Sequence, residues 1–179
     1  MSLGIFQVDG LALLMAFMLS LASGREALAE PSTEYNQGVD AYRAQDYAAA
    51  RTHWEKAALQ DDIHAHNNLG FLLYRGWGGA KDATRAVGLW RKAAELGHSE
   101  AQWHLGDAFA DGEGVARDPV AAYAWYRCAA APRNERDETD ELVADDARKS
   151  LAKLLDAINV EQLAAAELRG RECIARYVK

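Results

Sequence analysis

Apolar residues recur along most of the chain at steps of three and four, the spacing that gives a helix one buried face. Ala65, Leu69, Leu72 and Leu73 keep that step until Gly76-Trp77-Gly78-Gly79 breaks it. A glycine just past the last periodic residue ends a helix by turning left-handed. Asp82 then offers its side-chain oxygen to the first-turn N–H groups of a second helix. Asp118 does the same further on, with Pro119 at the favoured first helical position. Nearer the C-terminus, Val143, Ala147, Leu151, Leu154, Leu155 and Ile158 share one helical face. Asn159 and Gln162 then read as the capping box of a last helix, with Val160, Leu163, Ala164, Ile174 and Val178 on one side.

The helical segments repeat. At an offset of 36, Trp54, Ala57 and Ala58 return as Trp90, Ala93 and Ala94 and again as Tyr126, Ala129 and Ala130; Asp46, Asp82 and Asp118 keep the same step. Between the second and third copies the match extends to Leu69/Leu105, Gly70/Gly106, Gly76/Gly112 and Gly78/Gly114. Gly70 and Gly106 sit mid-helix, where glycine costs about 1 kcal/mol relative to alanine, so a close crossing by the partner helix is expected there. A fixed period of this length marks a repeat array, each unit burying its apolar face against the next.

The pattern A-x-x-x-L-G-x-x-[Leu73/Phe109]-x-x-G-x-G, then Asp, then A-x-x-x-[Trp/Tyr]-x-x-A-A resembles the Sel1-like repeat family, relatives of the tetratricopeptide repeats. The first copy has a loop four residues shorter, since Gly38 lies 32 before Gly70, and looks more like a tetratricopeptide unit. The resemblance implies an all-α solenoid of three hairpins, residues 34–62, 64–97 and 100–131. An acidic linker and a pair of capping helices would follow over 132–179. It also implies a non-catalytic scaffold for a protein or peptide, without cofactor. In the related units, ligand contacts fall on the first helix of each hairpin, at fixed offsets from the shared glycine. Carried over, these give Tyr35, Val39, Tyr42 and Arg43, then Asn67, Phe71, Tyr74 and Arg75, then Trp103, Asp107, Ala110 and Asp111. The alternative is that the aromatic members of this set only pack between hairpins. Arg43 beside Arg75 would suit a partner's carboxylates.

Composition narrows the picture further. Alanine occurs 36 times against 16 for Val, Ile and Thr together, which excludes a β-sandwich or barrel. With 20 Lys+Arg against 27 Asp+Glu and no basic cluster, nucleic acid is not an expected partner. Leu11 to Ser23 is too short an apolar run to span a membrane. It is followed by Ala27-Leu28-Ala29, so residues 1–29 read as a secretory signal peptide and the protein as periplasmic or secreted. The usual basic start is missing, and an uncleaved anchor or a buried N-terminal helix are the alternatives.

Candidate chemistry is thin. His64 and His66 follow Asp61 and Asp62, but two residues apart on a helix point about 200° apart, so no metal site is expected. His53, His98 and His104 stand singly, and no nucleophile-elbow, zinc-protease or phosphate-loop pattern occurs. A cell-wall enzyme or enzyme regulator is the alternative reading, because some cysteine-rich relatives of this repeat family bind or hydrolyse β-lactams; those carry a cysteine pair in each repeat. Here Cys128 and Cys173 are the only two. An even count in an exported protein invites a disulfide. The helical phase, however, turns Cys173 away from Ile174 and Val178, and free thiols are the expected state.

Overall fold

A computed structural model describes residues 32–133 and 138–178. The apolar run at 11–23, the Ala-x-Ala pattern and residues 134–137 of the acidic stretch lie outside them. The described residues form eight α-helices and no strand: α1 Thr33–Arg43, α2 Tyr47–Ala58, α3 Ile63–Arg75, α4 Ala83–Glu95, α5 Ser99–Asp111, α6 Pro119–Ala130, α7 Glu138–Leu155 and α8 Val160–Tyr177. Helices α1 to α6 pair as three hairpins, and α2 packs on α3 as α4 packs on α5, so neighbouring hairpins stack.

Each boundary has a local cause. The repeated aspartates start the second helix of every hairpin: Asp46 accepts from the Ala49 N–H, Asp82 from Arg85 and Asp118 from Val120 and Ala121. Asp62 and His98 start α3 and α5, accepting from the Ala65 and Ala101 N–H groups. Gly76 and Gly112 stop those helices with φ of 71° and 75°, where a Cβ would be strained.

The core follows the repeat. Trp54, Trp90 and Tyr126 are 3%, 2% and 3% exposed, each wedged between the two helices of its hairpin. A Cβ on Gly70 would lie 2.6 Å from the Trp90 indole, and one on Gly106 would lie 2.6 Å from the Tyr126 ring; Gly38 abuts Trp54 in the same way. The expected close crossing is therefore a ring pressed flat against backbone. Each ring is also tied to the opposite helix. The Trp54 and Trp90 N–H groups donate to the Tyr35 and Asn67 carbonyls at 3.2 Å, and the Tyr126 hydroxyl donates to Asp107 at 2.6 Å.

Both C-terminal helices find their main partner in α6, α7 also touching α5. The face expected for α8 is not the one it buries. Val160 is 85% exposed and Ala164 is exposed, while Ala166, Gly170 and Cys173 are buried. The reason is proximity: a Cβ on Gly170 would meet Arg127 at 3.3 Å, so only small residues fit along the seam with α6. Leu155, expected inward, is 45% exposed at the end of α7. Cys128 and Cys173 form a disulfide across the seam, which corrects the expectation of free thiols. Beside it Glu167 accepts from Arg127 at 3.0 Å and from the Tyr123 hydroxyl.

Candidate functional site

The first helices of the hairpins, α1, α3 and α5, carry two adjoining cavities that share Phe71. The first, about 250 Å³, is walled by Tyr42, Trp54 and Phe71, with Asn67, Asn68 and Glu100 as its polar lining. The second, about 230 Å³, adds Tyr74, Arg75, Trp103 and Asp107 to Phe71, with His104 and Asp111 beside them.

Seven of the residues carried over from the related units thus come together on one face, besides Phe71 itself. Tyr35 and Arg43 line neither cavity. Tyr35 is half-buried, its ring 6.5 Å from Trp54 and its hydroxyl oxygen accepting from Asn68. Arg43 is exposed, 3.9 Å from Asp40. Packing also claims a share of the others. Asn67 is buried and donates its amide to Glu100 at 2.8 Å. Tyr42 packs on Trp54 and Tyr47, and Tyr74 on Trp90 at 5.1 Å. Trp103 donates to Ser150 of α7 at 3.3 Å. Arg75 keeps its guanidinium over the Phe71 ring at 5.4 Å. Val39 and Ala110 are partly buried against the core, and Asp111 is exposed.

Three participants were not legible in the sequence. Trp77, from the glycine-rich loop after α3, stacks on Tyr47 at 4.7 Å and meets Phe71 edge-on at 5.5 Å, tying the first hairpin to the second. Glu100 reads as an ordinary first-turn acid of α5, and only the stacking of hairpins brings it against Asn67. His104 is sandwiched between Trp90 (4.8 Å) and Trp103 (5.0 Å).

Burial sets the protonation of this face. It pushes the Asp107 carboxyl up to about 6, against the lowering effect of the Tyr126 hydrogen bond. It holds His104 down to about 4, so the ring is neutral at pH 7. Burial likewise raises Glu100, which the Asn67 amide partly offsets.

The remaining histidines serve contacts. His66 donates through Nδ1 to the Asp62 carbonyl at 2.7 Å, and His53 lies 2.8 Å from Glu34. His64 Nδ1 is 3.2 Å from His98 Nε2. Because His98 Nδ1 accepts the Ala101 N–H, its proton sits on Nε2 and is donated to His64. Among the described residues no group of three or more His, Cys, Asp or Glu side chains could hold a metal ion. No described helix is long and apolar enough to cross a membrane. A wider, shallow cleft of about 900 Å³ lies against α6 and α8, but its arginines are engaged, Arg169 with Asp118, Arg91 over Phe109 and Arg176 over Tyr177.

The Sel1 repeat pattern matches residues 27–62, 63–98 and 99–131. Among solved structures, a protective antigen of uropathogenic Escherichia coli displaying an SLR fold is similar at 30% identity and a TM-score of 0.70. That match covers 84% of this chain and 31% of the antigen. A Sel1 repeat protein from Oxalobacter formigenes is similar at 28% identity and a TM-score of 0.60, over 79% of this chain and 55% of its own. The chain therefore spans less than two thirds of either relative. The curated proteins contain no match. Three consecutive repeat matches over more than half the sequence, on an all-α hairpin array, show that the chain belongs to the Sel1 repeat family.

Proposed function

We propose that the protein is a non-catalytic scaffold of the bacterial envelope that takes a protein or peptide segment along the face formed by α1, α3 and α5. Sel1 repeat proteins are in general protein-interaction scaffolds. The observation that carries the reading here is the pair of adjoining cavities, in which aromatic rings alternate with Arg75, Glu100 and Asp107. Aromatic and arginine side chains in small desolvated pockets are the groups that dominate binding energy at interfaces. Export is supported by the apolar run at 11–23 and Ala27-Leu28-Ala29. The test is capture of partners from envelope extract by the wild-type chain and by Arg43→Glu with Arg75→Glu. Both arginines are exposed, so the double variant is expected to lose the captured partner while its circular-dichroism melt stays almost unchanged. Retained capture rejects the face, and a collapsed melt assigns the arginines to the fold.

A further inference from the structure

The first cavity has a chemistry of its own. Its walls are the rings of Tyr42, Trp54 and Phe71, and its polar lining is Asn67, Asn68 and Glu100. Asn67 is 2% exposed, and its Oδ1 is shielded from water without a hydrogen-bond partner among the described residues. The orientation of that amide is set by its own donations, to Glu100 at 2.8 Å and to Asn68 at 3.2 Å, which leave the oxygen free to accept. A buried acceptor without a donor is expensive, and burial of part of the Glu100 carboxylate adds to that cost.

We propose that this cavity binds a primary ammonium group, the head of a lysine side chain on the segment taken by the face of α1, α3 and α5. The assignment rests on that face being the binding face. An ammonium carries three donors and no acceptor, so it can satisfy Glu100 and the Asn67 oxygen together. The surrounding ring faces are attractive to a cation, most of all when it is desolvated. A carboxylate ligand would be repelled by Glu100. An aliphatic one would bring no donor to the Asn67 oxygen and would desolvate the Glu100 carboxylate. Phe71 already holds the Arg75 guanidinium over its ring, so the walls left for a lysine are chiefly Tyr42 and Trp54.

Nα-acetyl-lysine N-methylamide and its neutral isostere, Nα-acetyl-2-aminoheptanoic acid N-methylamide, are the probes, titrated against the whole chain and followed by the indole N–H resonance of Trp54. The lysine probe is expected to bind at least about tenfold more tightly, the size of one charge-assisted hydrogen bond. Glu100→Gln, which keeps an acceptor for the Asn67 amide, is expected to erase that preference. Tyr42→Leu, which keeps bulk without a π face, is expected to reduce it. Equal binding of the two probes, no binding of either, or an unchanged preference in folded Glu100→Gln would overturn the assignment. The wild-type comparison needs no variant, so a misfolded substitution does not decide the matter. No partner is present in these titrations. Failure of the envelope capture would thus leave a positive lysine result intact, and a negative one would reject the cation site without touching the capture.

Discussion

Gly70 and Gly88 are both helix-interior glycines, and the structure gives them opposite signs. Nothing lies within 4 Å of a Cβ placed on Gly88, so Gly88→Ala should stabilise the chain by up to about 1 kcal/mol through helix propensity alone. A Cβ on Gly70 would strike the Trp90 indole, which cannot step aside because its N–H is held by the Asn67 carbonyl. Overpacking of this kind costs about 1–3 kcal/mol, and Gly70→Ala should be a net loss in urea unfolding. Trp90→Ala, at the other side of the same contact, should lose about 3–5 kcal/mol. If Gly70→Ala matched Gly88→Ala, the indole would not lie against Gly70. That a packing reason sits behind Gly70 is readable from the sequence, since glycine survives mid-helix in two copies. Which atom it accommodates is not, because α3 and α4 meet only after the glycine-rich loop has turned the chain back.

At the level of the helix, His98 does a job that aspartate does elsewhere in the array. Its Nδ1 caps α5, with His64, Arg133 and Asp140 as its electrostatic neighbours. Burial first, and His64 next, hold its pKa down to about 4. The unfolded chain therefore takes up a proton near pH 6.5 that the folded chain refuses until about 4. Stability from this group is full above the unfolded value and falls as pH drops through that window. His98→Asn keeps a capping oxygen and removes the titration. Stability measured by denaturant titration should fall less steeply below pH 6.5 in the variant than in wild type. Asp107 acts in the opposite sense, its raised pKa lowering stability as pH rises from about 4 to about 6, so the variant-minus-wild-type difference is the quantity to follow. An identical acid limb in the two proteins would show that His98 is not the buried cap described. Helix α8 poses a different question at the same scale. It is held to α6 by a bridge closing a separation of 45 residues, for which loop entropy gives roughly 4 kcal/mol. Replacing Cys128 and Cys173 together with alanine should lower stability by about that much, and the oxidised protein should show no titratable thiol after denaturation. Two titratable thiols would reject the bridge. Helical phase counted from Val160 misplaced Cys173 because apolar moment assumes the most hydrophobic face goes inward. In α8 the small face goes inward, since Arg127 and Tyr123 of α6 leave room for nothing larger.

For the whole molecule, export should be visible as chemistry. Material recovered from cells should begin after Ala29 on N-terminal sequencing, and a chain in the cytosol still starting at Met1 would reject the signal reading. The array itself was legible because its determinants are local and recur every 36 residues: the capping aspartates, the loop glycines, the ring that fills each hairpin. Helix type, hairpin order and the residues that face the core all follow from such short-range rules. The candidate face was legible only in part. Offsets from a glycine choose a side of a helix, and on that basis Tyr42, Phe71, Tyr74 and Arg75 fall on one surface. Glu100 opposite Asn67, Trp77 stacked on Tyr47, and Cys173 against Cys128 join residues separated by 33, 30 and 45 positions, and they depend on how one hairpin, or a C-terminal helix, sits against the next. That placement is set by the shapes of interlocking side chains, which no periodic pattern encodes. An all-α repeat and its capped, ring-filled hairpins follow from the residues taken locally; which polar groups share a cavity, and which face of the last helix is buried, follow only from packing, because both are properties of contact between elements and not of any one element.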